Sequence, residues 1–208
     1  MVPVELEYDG SVLKFDKELS ELDKLVIDFV SLLDKSHIDY AIVSGYVAIL
    51  LGRSRTTEDI DLFVEPKSEE QFLLFCTYLT KSGFNLLNAE DPHDAYSLMK
   101  EGSSLRVISG NRIFPNFELK LPKSGISKVT MEEKVKAQIN GHHINMSSLE
   151  LQIAYKLYLG SDKDLDDARH LYRLLKDKLD DTKFKYFVKE MRIGKNTLKE
   201  ALGEDVEA

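Results

Sequence analysis

The feature that most constrains the fold of this 208-residue chain is a pair of adjoining segments between residues 40 and 64. Tyr40-Ala41-Ile42-Val43 reads as a short apolar strand, Ser44-Gly45 as a tight turn, and Tyr46-Val47-Ala48-Ile49-Leu50-Leu51 as an apolar helical run. A polar stretch then leads into Asp59-Ile60-Asp61-Leu62-Phe63-Val64, which alternates as a strand does. Side chains two apart on a strand point the same way, so Asp59 and Asp61 leave one face while Ile60, Leu62 and Val64 anchor the other. Carrying the alternation backwards adds Thr57 and Arg55 to the aspartate face. A row of one cation, one hydroxyl and two acids suits a Mg²⁺-bound phosphate. An acidic pair alone is more often a solvated face; the strand, turn and helix upstream change that. Small residues let backbone approach a ligand, and the amides of a helix N-terminus are ready anion donors.

These residues resemble the nucleotidyltransferase superfamily of the polymerase-β type, and more narrowly its small AbiEii-like, minimal nucleotidyltransferase branch. The family pattern is a hydrophobic residue, Gly, Gly or Ser, a spacer, then Asp-hydrophobic-Asp. Val43, Ser44, Gly45 and Asp59-Ile60-Asp61 follow it, and Arg55 and Thr57 match the branch's Arg-x-Thr lead-in. Ser44 stands where the first glycine is expected; its hydroxyl can meet a phosphate, but serine adopts positive φ less readily than glycine.

Composition sets few obstacles. A chain of this length, 43% hydrophobic, buries roughly 70% of its unfolded surface and folds as one or two units. No run approaches the ~20 apolar residues of a membrane span, and the first residues lack a basic-then-apolar signal pattern, so a cytoplasmic protein without membrane partners is expected. Cys76, in the apolar run Gln71-Phe72-Leu73-Leu74-Phe75-Cys76, reads as core. The net charge of −8 excludes a broadly basic nucleic-acid coat, though not a local groove. Residues 1–104 hold 9 lysines and arginines against 20 acids, residues 105–208 hold 19 against 16, so positive charge gathers in the second half.

Along the chain, Val4 to Phe15 alternates around Asp9-Gly10, a hairpin signal, and reads as an appendage. Asp16 to Ser36 carries helical apolar spacing, and Glu69 to Ser82 forms another helix ending at Gly83. Asp94 to Lys100 is a short helix; Leu105 to Ile108 and Asn116 to Leu121 are strands; Val135 to Ile139 and His142 to Asn145 form a second hairpin about Asn140-Gly141. His142 and His143 face opposite ways on a strand and receive no chemistry. Ser147 and Glu150 have capping-box spacing ahead of a helix that Gly160 ends.

The resemblance extends to later residues. It implies a third carboxylate on a strand beside the Asp-x-Asp strand, a role that falls on Glu118, with Lys120 on the same strand face. In the AbiEii-like branch a helix lysine is followed by a Lys/Arg-Asp pair and an aspartate three residues on; Lys156, Lys163-Asp164 and Asp167 match. Lys156 would then contact nucleotide phosphates and Asp164 orient a cation or the nucleotide. The same acids also suit the first turn of a helix over residues 165–175.

The expected fold is α+β: a nucleotidyltransferase-type mixed sheet flanked by helices, with residues 1–15 an N-terminal hairpin, 16–146 the core and 147–208 a helical C-terminal region. The resemblance implies transfer of a nucleoside monophosphate from an NTP to a hydroxyl of an RNA, tRNA-like, or protein acceptor. Asp59, Asp61 and Glu118 would hold two Mg²⁺ or Mn²⁺ ions, and Ser44, Gly45 and Arg55 the β/γ-phosphates. A toxin–antitoxin setting with a cognate antitoxin-like partner belongs to the same implication. The alternative is a catalytically silent module that only binds a nucleotide or a protein on this fold.

Overall fold

The computed structural model describes residues 5–123 and 125–203. Val4, the expected start of the first hairpin, and the last five residues of the expected C-terminal region lie outside them.

Among the described residues the chain forms one mixed nine-stranded sheet in the order β1-β2-β8-β9-β3-β4-β7-β6-β5. The hairpin β1 (Glu7–Tyr8) and β2 (Val12–Phe15) turns at Asp9-Gly10, where the Asp9 carboxylate accepts from the amides of Ser11 and Val12. Read as an appendage, it is instead the edge of the sheet: β2 runs parallel to β8 (Val135–Ile139), and Leu13 is fully buried. Its alternation supplied an apolar face but not the strand that face would meet.

Helix α1 (Glu21–Lys35) begins later than its apolar spacing suggested, because Ser20 and Asp23 form a capping box. Its apolar stripe lies on the sheet, where Phe29 stacks on Phe117 at 3.7 Å. Strand β3 (Asp39–Val43) and the short helix α2 (Gly45–Leu50) follow, then β4 (Asp59–Glu65), antiparallel to β3. Ile60, Leu62 and Val64 are buried on the α1 side, leaving Asp59, Asp61 and Phe63 half-buried on the other. Helix α3 (Glu69–Lys81) is capped by Ser68, and α4 (Pro92–Glu101) by Asp91. Cys76 is buried, and burial pushes its thiol up to about 12, as suits an inert core residue.

The strands β6 (Leu105–Ser109) and β7 (Arg112–Lys120) form the far side of the sheet, and β7 runs parallel to β4. Two elements carry no clear periodic signal: the three-residue edge strand β5 (Phe84–Leu86) and helix α5 (Ile126–Glu132), which packs near β3 and whose N-cap Gly125 offers no side chain. The hairpin β8 and β9 (His142–Met146) turns at Asn140-Gly141.

Helices α6 (Leu149–Leu159), α7 (Asp162–Leu175), α8 (Asp181–Glu190) and α9 (Lys195–Leu202) pack on one another, and α7 also meets α2. The expected capping box at α6 does not form. Its N-cap is Ser148, without a side-chain bond; Ser147 Oγ donates to Gln152 Oε1, and buried Glu150 accepts from the Tyr8 hydroxyl and the Asp180 amide. Glu150 is claimed by long-range partners before it can reach back to its own helix start. Gly160 ends α6 in the left-handed region, and Ser161 caps α7. No helix among the described residues is long and apolar enough to cross a membrane.

Candidate active site

The site lies on the sheet face opposite α1, at the ends of β3, β4 and β7. In the β4–β7 ladder Asp61 stands directly beside Glu118, and Asp59 beside Asn116. The aspartates leave the same face, as alternation requires, and the parallel register adds Glu118 and Lys120 to it. Burial pushes the Asp61 carboxyl above its ordinary range; the charge of Lys120 opposes this, and those of Asp59 and Glu118 reinforce it. The neighbouring Ser44 hydroxyl also opposes the rise, more weakly than Lys120.

Glu118 is differently placed. Its Oε1 accepts from Arg106 Nε at 2.9 Å and Nη2 at 2.7 Å, and Lys120 Nζ lies 3.3 Å from its Oε2 and 3.6 Å from Asp61 Oδ1. Burial works against ionisation, but the bonds from Arg106 and the charge of Lys120 hold the Glu118 pKa low. Glu118 is thus an ionised acid with both oxygens engaged, and Lys120 bridges the two strands.

Ser44 sits at φ 63°, ψ −132°, a region that favours glycine. The cause is visible in a residue that sequence reading missed. Gln152, 2% exposed on α6, accepts from the Ser44 amide at 3.2 Å and donates to the Ser44 carbonyl at 2.7 Å. One amide side chain therefore satisfies both backbone groups of Ser44 and holds the turn beside Asp61, which pairs with the preceding Val43. No local signal marks Gln152, because it lies 108 residues from Ser44.

Arg55 and Thr57 precede β4 in irregular backbone rather than continuing the strand, so alternation does not place them. Thr57 Oγ1 donates to the Asp59 carbonyl at 2.8 Å. Arg55 turns to α7, where its Nε and Nη2 donate to the two oxygens of Asp167 at 3.1 and 3.0 Å. Its guanidinium also lies against Gly45: a Cβ there would collide with it, with Cζ at 3.1 Å. Gly45 is needed for this close approach.

Lys156, expected at the phosphates, is 2% exposed. Its ammonium is enclosed by Asp164 at 2.6 Å and Asp167 at 3.1 Å. Burial opposes ionisation of Asp164, but hydrogen bonds from Lys156 and Ser161 keep its pKa low. Arg53 completes the group, 3.0 Å from Asp166 and 3.6 Å from Asp167. The structure therefore brings the two distant motifs together, with Arg55 at the front beside Gly45 and Lys156, Asp164 and Asp167 behind it.

Beside Asp61 opens a cavity of about 190 Å³, bounded by Ser44, Asp61, Lys120, Gln152 and Tyr155 and floored by apolar side chains. Among the described residues no three carboxylates, imidazoles or thiols come together as a closed metal-ligand set. The donors still suit magnesium. Mg²⁺ typically takes one or two carboxylates and fills its remaining positions with phosphate and water, and the Asp59–Asp61 pair offers that on an acid-crowded face.

No protein-family model matches the chain, and no curated protein matches it in sequence. Solved structures do match in fold. An antigenic nucleotidyltransferase-like protein from Paracoccidioides brasiliensis aligns over 90% of this chain and 94% of its own, with 20% identity and a TM-score of 0.55. ANT(2")-Ia, in complex with adenylyl-2"-tobramycin, aligns over 83% and 98% at 15% identity with a TM-score of 0.55. The lincosamide antibiotic adenylyltransferase LnuA, lincomycin-bound, aligns over 76% and 99% at 14% identity with a TM-score of 0.50. The chain has the α+β fold of these nucleotidyltransferases, a mixed sheet flanked by helices with a helical C-terminal region.

Proposed function

We propose that this protein is a metal-dependent nucleotidyltransferase that moves a nucleoside monophosphate from an NTP to a hydroxyl of an RNA or protein acceptor. The observation that carries the reading is the meeting of Asp59 and Asp61 with the Ser44-Gly45 turn beside an open cavity. Asp59 and Asp61 would hold Mg²⁺ or Mn²⁺, which when bound supplies positive charge to the phosphates. Glu118 is the third acid of the face and joins the pair by exchanging its contact with Lys120. Arg55, fixed by Asp167 and fitted against Gly45, faces the phosphates with the Ser44 hydroxyl. Lys156 and Asp164 act from behind, by keeping Asp167 and hence Arg55 in place.

In the transfer the acceptor oxygen forms a bond to the α-phosphorus as the bond from that phosphorus to the α–β bridging oxygen breaks. Pyrophosphate leaves with that oxygen, and the acceptor proton passes to an acid of the site or to water. The apolar floor of the cavity keeps bulk water from competing as acceptor.

The test is incubation with each labelled NTP, Mg²⁺ or Mn²⁺, and separate pools of RNA and cell protein. One polymer should become labelled, and a folded Asp61→Asn variant should label neither. Wild-type transfer by that variant sinks the assignment. The engagement of Glu118 by Arg106 and Lys120 favours a second reading, a silent nucleotide-binding module. Saturating NTP with Mg²⁺ should raise Tm by roughly 5–10 °C in either case, since a ligand at one hundred times Kd adds about 2.7 kcal/mol. A shift without transfer supports the silent module; no shift with any NTP removes both.

A further inference from the structure

The cavity beside Asp61 does not end at the carboxylates. Through Ile126 and Tyr155 it adjoins a second, of about 490 Å³, between α5, α6 and α8. That one adjoins a third, of about 440 Å³, through Tyr186 and Arg192. The path therefore runs from the candidate active site over three tyrosines to a basic end. Tyr155 is half-buried, whereas Tyr158 and Tyr186 are 61% and 55% exposed. The rings of Tyr155 and Tyr158 lie 6.1 Å apart and within 25° of parallel. At the far end stand Lys185, Lys189 and Arg192. Lys185 is held by Asp181, but among the described residues Lys189 and Arg192 carry no ion-pair partner. Glu190 is the acid on the rim.

Arg192 adds an independent observation. It follows Met191, the C-cap of α8, at φ 54°, the left-handed position where helices usually place glycine, so a long cationic side chain is kept at a strained site beside the groove. Its position serves no ion pair among the described residues.

We propose that this groove seats the unpaired end of a single-stranded polynucleotide, with bases against Tyr155, Tyr158 and Tyr186 and phosphates toward Lys189 and Arg192. Exposed aromatic faces leading to a cluster of cations are the chemistry of single-strand binding, where each stacked base contributes about five- to one-hundred-and-fiftyfold in affinity. A protein segment fits less well: the lining is helical, so no open strand edge is present to pair with an extended peptide. The inference rests on the nucleotidyl-transfer reading in taking the strand end as acceptor, but the binding itself needs neither NTP nor metal.

The experiment measures fluorescence anisotropy of the full chain with labelled single-stranded RNA and DNA 12-mers, the corresponding duplex, and a labelled unstructured peptide, all without NTP or metal. Single strands should bind at least tenfold more tightly than duplex or peptide. Tyr158→Ser with Tyr186→Ser should weaken them at least tenfold while Tm stays near wild type, and Arg192→Gln should lower the salt slope by about one. If the double variant fails to fold, Tyr158→Ser and Arg192→Gln decide singly. Equal binding of duplex, preference for peptide, or tyrosine variants that bind as wild type overturn the proposal. Bound RNA that no NTP labels would refute the transfer reading and leave the groove standing. RNA labelled equally by wild type and tyrosine variants would do the reverse.

Discussion

Asp167→Asn removes the one anion shared by Arg55, Lys156 and Arg53. Asp167 is fully buried, accepts two hydrogen bonds from Arg55, and lies 3.1 Å from Lys156 and 3.6 Å from Arg53. An asparagine of the same shape keeps one acceptor oxygen and turns an NH₂ toward the donors. Lys156 retains Asp164 and Arg55 retains the Thr56 carbonyl, yet excess positive charge is left in a site with little access to water. Breaking a buried ion pair from one side costs about 3–5 kcal/mol. At roughly 2–4 °C per kcal/mol for a chain of this size, Tm should fall by about 6–20 °C. Lys156→Met should cost less, about 1–3 kcal/mol, because Asp167 keeps both Arg55 bonds and Asp164 keeps Ser161 and partial access to solvent. The double variant Lys156→Met/Asp167→Leu should fall short of the summed losses, since it strands less charge. Thermal and urea unfolding followed by circular dichroism measure all three. An Asp167→Asn variant melting within about 2 °C of wild type, or Lys156→Met the more damaging change, refutes the reasoning. If Lys156→Met melts normally but loses the NTP–Mg²⁺ shift, Lys156 contacts phosphate directly.

Ser44→Gly should stabilise by about 1 kcal/mol, because relief of the positive-φ strain exceeds the added freedom of the unfolded chain; unfolding midpoints test it, and a loss of stability would mean that the contacts of the Ser44 side chain outweigh the strain. Gln152→Leu should destabilise by about 1–3 kcal/mol, since it leaves the part-buried Ser44 amide and carbonyl without their partner, and hydrogen exchange at the Ser44 amide should speed up; unchanged exchange would remove Gln152 from its positioning role. Asp61 has a raised pKa, so between its unfolded value, about 4, and its folded value the native state retains a proton the unfolded chain releases, and stability falls as pH rises through that window. Asp61→Asn should therefore raise stability near pH 7 and give no advantage below about pH 4, as paired melting curves at the two pH values would reveal.

Local pattern made much of the architecture readable. Asp59-Ile60-Asp61-Leu62 has period two, so both acids share a face in any strand that buries Ile60 and Leu62. The turn residues Asp9-Gly10 and Asn140-Gly141 mark the β1–β2 and β8–β9 hairpins, and Gly160 marks the end of α6. Other elements lack such signals. The edge strand β5 is too short to show a period, α5 has no capping side chain, and α6 is buried on nearly every side, so its Ser147–Glu150 spacing is no guide to its cap.

What the sequence by itself determined is which side chains leave a strand together: Asp59 with Asp61, and Glu118 with Lys120. Backbone geometry decides that within a few residues. Which strands lie side by side, and so whether Glu118 meets Asp61, required the parallel pairing of β4 and β7. The partners of the site residues required still more of the fold. Arg106 reaches Glu118 through an antiparallel register, Gln152 reaches Ser44 across 108 residues, and Arg55 reaches Asp167 across 112. Burial and hydrogen bonding select those partners only after the core has closed, because a buried charge or amide takes whichever complementary group the topology delivers.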